Sequence, residues 1–561
     1  MAFADLLEQV GSTGHFQIMH VTLLSLPILM MASHNLLQNF VAAVPSHHCV
    51  AHTNLSGHLL DPEDTLLISI PLDQQGRPER CRRYTHPQWH LLHTNSSKEL
   101  EWENEENGIN MQGCVDGWKY NMTEMTSTII TEWDLVCDMR SLKQMGQTIY
   151  MGGVLVGAMI FGGLSDRFGR RVLLLISHLM MAVAGTCAAF ATSFSLFCLF
   201  RFFCGMALSG LVLNSFSLIV EWIPTRVRTV VGTGTGYCYT TGQLILAVVA
   251  YNIRDWRWLT LAVSLPFYVS FLYSWWFLES ARWLVLNKKP DQAVKNLKAV
   301  ARMNGRRDEA DKINIEMLQQ SMKKEMSCSQ ISHSVLDLLR KRTMRTITVC
   351  LSAVWFSTSF AYYGLSMDLQ KFGVNIYLIQ VIFGAVDIPA KIIVTVSMSI
   401  IGRRISQCAA LMLAGITILI NMLVPYELQT LRTSLAVIGK GCLAASFNCC
   451  YLYSGELYPT VIRQNGMGWV SMMARLGAMV APLVLLIGEA VAWFPGFIYG
   501  GAPILSGIFA YFLPETLATP LPDTIQDAEE RGFIRRKQTS KKEEMVLKDS
   551  SNSPLKETAV P

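Results

Sequence analysis

EWIPTRVR at residues 221–228 returns 235 positions later as ELYPTVIR at 456–463, with the E-x-x-P-T-x-x-R spacing unchanged. Two more pairs keep almost the same offset and the same order: GLSDRFGRR ending at Arg171 against IIGRR ending at Arg404, and LES at Glu279 against PET at Glu515. One such match is weak, but three in register point to a duplicated unit. Each falls at the end of an apolar run, so the repeated unit is a set of membrane helices and the repeated motifs mark one side of the membrane. Parallel repeats of this kind pack about an axis along the membrane normal and hold a site between them near mid-membrane.

The composition agrees. Of 561 residues 51% are hydrophobic and 16% charged, which is unusual for a soluble chain of several domains. The apolar residues gather in twelve windows, at about 16–43, 145–165, 172–193, 196–220, 229–251, 257–278, 346–367, 374–400, 405–425, 432–454, 464–488 and 492–513. A helix of about 20 residues crosses about 30 Å of hydrocarbon, so each window predicts one span. The first is read as a retained helix and not a cleaved signal, because residues 1–19 contain Asp5 and Glu8 and no Lys or Arg.

The loops set the orientation. All three N-x-S/T acceptors, Asn54, Asn95 and Asn121, fall between the first two windows, together with Cys49, Cys81, Cys114 and Cys137. Glycan acceptors and an even cysteine count belong to an extracellular, oxidising compartment; two bridges are expected, with three pairings open. His86, His90 and His93 in HPQWHLLH lack a fourth ligand and read as a solvated loop, so no metal is expected. Residues 279–345 carry about fifteen Lys and Arg against about eight acids, and the tail holds IRRKQTSKK, which places both segments in the cytoplasm. The expected organisation is 1–43, the N-terminus and first helix; 44–144, a glycosylated, disulfide-bonded outer loop; 145–278, the rest of a first six-helix bundle; 279–345, a cytoplasmic central loop; 346–513, a second bundle; and 514–561, a cytoplasmic tail. Both termini are then cytoplasmic, in an all-α protein of the plasma membrane.

GGLSDRFGRR, the two ExxPTxxR motifs and LESARW resemble the major facilitator superfamily, and among its members the family of organic anion and organic cation transporters. TEWDLVC, MASHNLLQNF, FAYYGLSMDLQKFGV, FGAVDIPAK and GKGCLAASFNC resemble the organic anion branch, over nearly the whole chain up to PLPDTIQD. The resemblance implies twelve helices in two six-helix bundles. It also implies uptake of organic carboxylates and sulfates, in exchange for an intracellular dicarboxylate, with chloride a further candidate counter-ion. Asp166, Arg170, Glu221 and Arg228, with Glu456 and Arg463 in the other half, are candidates for an inner gate: charged groups at helix ends make contacts weak enough to exchange.

FGAVDIPAK (383–391) puts Lys391 near the middle of the eighth window, and SMMARLGAMVAPL puts Arg475 within the eleventh. A charge there costs about 2.5 to 3.5 kcal/mol on insertion scales, so each needs a partner or a task. Asp387 lies four residues before Lys391, on the same helical face, and an intrahelical ion pair between them is the structural alternative to a substrate-facing Lys391. Arg475 has no acid within a turn, and Lys440 and Arg201 lie nearer helix starts. The excess positive charge favours an anion and disfavours a cation; in the resemblance, the positions of Lys391 and Arg475 carry anion recognition. Trp355, Phe356, Phe360, Tyr362, Tyr363, Tyr239, Phe447 and Tyr451 are candidates for aromatic walls, of which the resemblance favours Tyr239, Tyr362, Tyr363 and Phe447. Asn35 and Asn39, one turn apart, either line the cavity or bridge helices.

The rival within the family, an organic cation or zwitterion carrier, requires a free acid, and Asp387 is the one candidate. A ligand-sensing receptor or an enzyme is disfavoured by the half-to-half repeat and by the lack of a phosphate loop, HExxH, GxSxG or paired catalytic acids. No cofactor and no nucleic-acid partner is expected; the partners are an organic anion, its counter-ion and the lipid bilayer.

Overall fold

The computed structural model describes residues 3–11, 13–51, 61–73, 76–93, 110–329, 337–367, 369–425, 427–459, 462–488, 491, 493–517, 526 and 529. A short helix, α1 (Phe3–Gly11), precedes α2 (His15–Leu36), which continues as Gln38–Val41. Then come α3 (Ser141–Phe168), α4 (Arg170–Ala189), α5 (Phe194–Trp222), α6 (Thr225–Asn252), α7 (Trp256–Ser264) and α8 (Pro266–Ser274). After α9 (Pro290–Met303) and other short helices follow α10 (Arg342–Ser366), α11 (Ile376–Ile400), α12 (Arg403–Leu423), α13 (Gln429–Leu457), α14 (Arg463–Gly488) and α15 (Phe494–Tyr511).

Local chemistry sets these bounds. Ser193, Asp255 and Asn375 accept backbone amides at the starts of α5, α7 and α11, which satisfies donors the helix leaves open. Gly169 (φ 99°) and Gly402 (φ 110°) turn the chain sharply between α3 and α4 and between α11 and α12, a backbone region other residues enter at a cost. The window at 257–278 is not one helix. It breaks at Pro266, which has no amide to donate, into two nine-residue pieces.

Eight helices among the described residues are long and apolar enough to cross a membrane. The long α6 and α10 are not among them; they carry Thr, Gly, Tyr, Gln and Arg in place of aliphatic residues. In the first half α3 and α4 pack on α5 and α2 packs on α6; in the second α10 packs on α14, and α12 on α13 and α15. The α3–α5 contact is close enough that a Cβ on Gly153 would sit 2.2 Å from Phe202 O and one on Gly157 2.6 Å from Met206 Cα. The halves meet along two seams, α3 against α14 and α6 against α11.

The segment before α3 is not helical throughout. Strands His47–Cys49 and Trp118–Tyr120 pair antiparallel, as do Arg82–Tyr84 and Met111–Gly113, so the all-α expectation fails in this loop. Of the three possible pairings the structure has Cys49–Cys114 and Cys81–Cys137. The loop is pinned to the helices by Glu132, which pairs with Arg257 and accepts from Trp256 Nε1 at 2.8 Å. Asn121 is exposed there, whereas Asn54 and Asn95 lie outside the described residues.

Candidate functional site

The α6–α11 seam carries Lys391. Lys391, on α11, reaches across to α6 and donates to Gly236 O at 2.7 Å and Thr240 Oγ1 at 2.8 Å. It makes no ion pair with Asp387, against the i, i+4 alternative. Asp387 instead binds Lys440 of α13, Oδ1 to Nζ 2.8 Å, with both side chains at 2% exposure or less. Lys440 is not peripheral, as its sequence position suggested; it is wholly buried and also donates to Phe383 O at 2.6 Å. The other Asp387 oxygen accepts from Gln243 Nε2 at 3.1 Å and from the Tyr362 hydroxyl at 3.4 Å. A buried ion pair is tolerable when its remaining lone pairs and protons are satisfied, as they are here. A helix-mate four residues away is a poorer partner for Asp387 than a cation that would otherwise be buried alone.

Arg475, on α14, stands by Tyr363 of α10 and Tyr451 of α13, and among the described residues no carboxylate pairs with it. With Asp387 engaged by Lys440, neither Lys391 nor Arg475 has a carboxylate partner among the described residues.

The aromatic candidates divide. Tyr362 meets Phe447 edge-on at 5.3 Å and Tyr363 at 5.5 Å. Trp355 is buried, donates from Nε1 to Ser454 Oγ at 2.8 Å and lies 4.7 Å from Tyr451. Phe360 stacks on Phe356 and against Tyr499, inside the second half. It is a packing residue and leaves the wall. Asn35 joins helices of the first half: its Oδ1 accepts from Tyr150 and its Nδ2 donates to the Tyr239 hydroxyl. Asn39 crosses to the second half, where Nδ2 donates to Ser366 O at 2.7 Å.

The repeated motifs assemble, one cluster per half. Arg170 pairs with Asp166 at 2.9 Å and Glu221 at 3.4 Å, and Glu279 accepts from the amides of Arg170 and Arg171. In the second half Arg403 pairs with Glu456 at 3.1 Å and Glu515 accepts from the amides of Arg403 and Arg404. Burial opposes the charge on Glu515, but the amides of Arg403, Leu517, Thr516 and Arg404 outweigh it and hold the carboxyl below its ordinary pKa. Arg403 takes the place of Arg170 in the repeat; aligning GRR with GRR identifies it, although the gate candidates drawn from the sequence did not include it. Among the described residues no ion pair joins one cluster to the other. Arg463 turns back to Tyr458 O at 3.2 Å, and the Arg228 side chain lies outside the described residues.

The opposite end, beside the disulfide-bonded loop, is where the halves are tied. Gln370 accepts from Val44 N and donates to Val44 O, both at 3.0 Å, and Tyr377 stacks on Phe40 and donates to Glu124 O at 3.1 Å. Sequence reading missed this closure: Gln370 and Phe40 lie in FAYYGLSMDLQKFGV and MASHNLLQNF, but neither stretch shows which backbone groups its side chains meet.

Residues 103–526 match the family described as "Sugar (and other) transporter". "Solute carrier family 22 member 6" of Danio rerio is 76% identical over 560 residues, covering 100% of both chains. "Solute carrier family 22 member 6-A" of Xenopus laevis is 55% identical over 549 residues, 98% of each, and "Solute carrier family 22 member 20" of Mus musculus 50% over 563 residues, 100% of each. Among solved structures, a partially occluded inward-open form of the xylose transporter XylE from E. coli superposes with a TM-score of 0.59 at 15% identity, covering 90% of this chain and 99% of that one. At that identity the likeness carries the fold alone. The chain belongs to solute carrier family 22, in the organic anion transporter branch of the major facilitator superfamily.

Proposed function

We infer that the protein is a polyspecific organic anion transporter of the plasma membrane, a multi-pass carrier and not an enzyme, that works by alternating access. Lys391 and Arg475 are the anion-recognising groups of this reading, and the observation that carries it is that among the described residues neither has a carboxylate partner while Asp387 is held by Lys440. At an effective dielectric constant of about 20, a carboxylate about 4 Å from a single positive charge gains on the order of 4 kcal/mol. Arg475 offers two parallel N–H donors and Lys391 a point charge. Tyr239, Tyr362, Tyr363, Phe447 and Trp355 supply an apolar body with hydroxyl tips, which suits substrates of varied shape. The cation-carrier alternative requires a free acid, and Asp387 is not free.

Twelve spans in two six-helix bundles, with the disulfide-bonded loop outside and the basic segments inside, account for both seams and the paired cytoplasmic clusters. The Gln370–Val44 and Asn39–Ser366 contacts then close the outer mouth. In the opposite state the inner clusters of Arg170 and Arg403 act as the gate while the outer contacts part. Exchange for an intracellular dicarboxylate follows when the site crosses the membrane readily only with an anion bound, because empty it holds two uncompensated charges.

The test is uptake into cells of a labelled aromatic carboxylate and of labelled tetraethylammonium, with and without preloaded glutarate, for the wild type and Arg475→Asp. The wild type takes up the carboxylate, preloading accelerates it, and Arg475→Asp abolishes it at equal surface abundance. Uptake of the ammonium by the wild type, or unchanged carboxylate uptake by the variant, overturns the reading.

A further inference from the structure

The first half holds a cation that this site does not use. Arg201, on α5, is 1% exposed, and among the described residues no carboxylate pairs with it. Nη2 donates to His34 O at 3.2 Å, Nε and Nη1 have no hydrogen-bond partner, and the guanidinium lies 4.1 Å from the centre of the Tyr150 ring. Tyr150, on α3, is fully buried and donates from its hydroxyl to Asn35 Oδ1 at 2.8 Å. Asn35, on α2, donates from Nδ2 to the Tyr239 hydroxyl of α6 at 3.4 Å. Four helices thus contribute to one line of contacts that runs from a lone guanidinium to the Tyr239 hydroxyl.

We propose that Arg201, Tyr150 and Asn35 form a positioning relay that fixes the Tyr239 hydroxyl as a hydrogen-bond donor to the bound organic anion. The proposal rests on the anion-transport reading above. A phenol can give or take a hydrogen bond, and something must choose. A cation over the face of Tyr150 is attracted to its π electrons and favours negative charge on its oxygen, so Tyr150 gives its proton. Asn35 must then accept through its carbonyl, which turns its NH2 toward Tyr239 and occupies that oxygen. The Tyr239 proton is left to point away from Asn35, and toward a carboxylate when one is bound, where the bond is strong because its acceptor is charged. Arg201 therefore acts without touching substrate, through the direction of three hydrogen bonds in series.

Tyr150→Phe keeps the ring under Arg201 and removes only the hydroxyl. Initial rates of labelled terephthalate uptake, normalised to surface protein, are expected to show KM raised about five-fold with an unchanged maximal rate, the size of one lost hydrogen bond. Tyr239→Phe raises KM by a similar factor, and the double variant is no worse than Tyr239→Phe alone, because the relay has one exit. Arg201→Lys, which keeps the charge, retains more affinity than Arg201→Gln at equal surface abundance. An unchanged KM in Tyr150→Phe, or multiplicative losses in the double variant, overturns the relay while leaving anion transport standing. Absence of terephthalate uptake by the wild type, with tetraethylammonium taken up instead, overturns the transport reading and the relay with it.

Discussion

At the scale of single residues, the sequence disclosed which charges lie inside the membrane but not how they pair. Asp387 and Lys391 have the spacing of a helical ion pair, yet Asp387 joins Lys440, 53 positions away on another helix. Local spacing is visible in a sequence, whereas the depth of Lys440 is a product of packing, and depth decides which cation most needs the acid. The two kinds of cation should behave differently on substitution. Lys440→Met leaves Asp387 buried without its counter-charge and is expected to cost about 3 to 5 kcal/mol, seen as a fall in the thermal unfolding temperature of the purified protein; adding Asp387→Leu should restore part of it. Arg475→Gln removes a charge that has no carboxylate partner, so the unfolding temperature should hold while carboxylate uptake is lost. Equal destabilisation by both substitutions would mean that Arg475 is structural.

At the scale of elements, each apolar window contains helix, because about 20 apolar residues in lipid have few other ways to satisfy their backbone. The break at Pro266 was within reach of the sequence, since proline lacks the amide a continuous helix uses. Contacts between distant segments were not. Helix α1 packs against α9 through Asn304, whose Nδ2 donates to Val10 O, Gly11 O and Gln17 Oε1 and whose Oδ1 accepts from Phe16 N. Arg306 adds bonds to Glu8 O and Gln9 O. Nothing in the spacing of residues 1–17 names a partner nearly 290 positions on. A Cβ at Gly14 would lie 2.2 Å from Asn304 Oδ1, so Gly14→Ala must displace that amide, at an expected cost of about 1 to 3 kcal/mol. The cost should largely vanish in an Asn304→Ala background, where the cycle of four unfolding temperatures isolates the contact. Additive losses would show that Gly14 is needed for its backbone and not for the space it leaves.

At the scale of the whole molecule, the duplicated motifs located the paired charge clusters, but each cluster closes on its own half in this conformation and the closure lies at the other end. A gate is a property of one state, and a sequence encodes both states at once, so its charges mark where an inner gate can form without saying that it has formed. The outer closure rests on the side chain of Gln370 clasping the backbone of Val44, with Asn39 on Ser366 O and Tyr377 on Phe40 beside it. Gln370→Ala removes the two bonds to Val44 and the longer one from Lys143 Nζ, all between the halves. At about 1 kcal/mol net for each, the balance should move toward the outward-facing state by a factor of ten or more. Gly236 offers a reporter, because a Cβ there lies 3.7 Å from Lys391 Nζ, beside the candidate site. In a Gly236→Cys background, a membrane-impermeant thiol reagent added outside should modify the new cysteine slowly when Gln370 is intact and several-fold faster in Gln370→Ala. A saturating external organic anion should slow both reactions by covering Lys391. An unchanged rate in Gln370→Ala would mean that Asn39 and Tyr377 hold the mouth without it, and protection by the anion would still report on the site beneath.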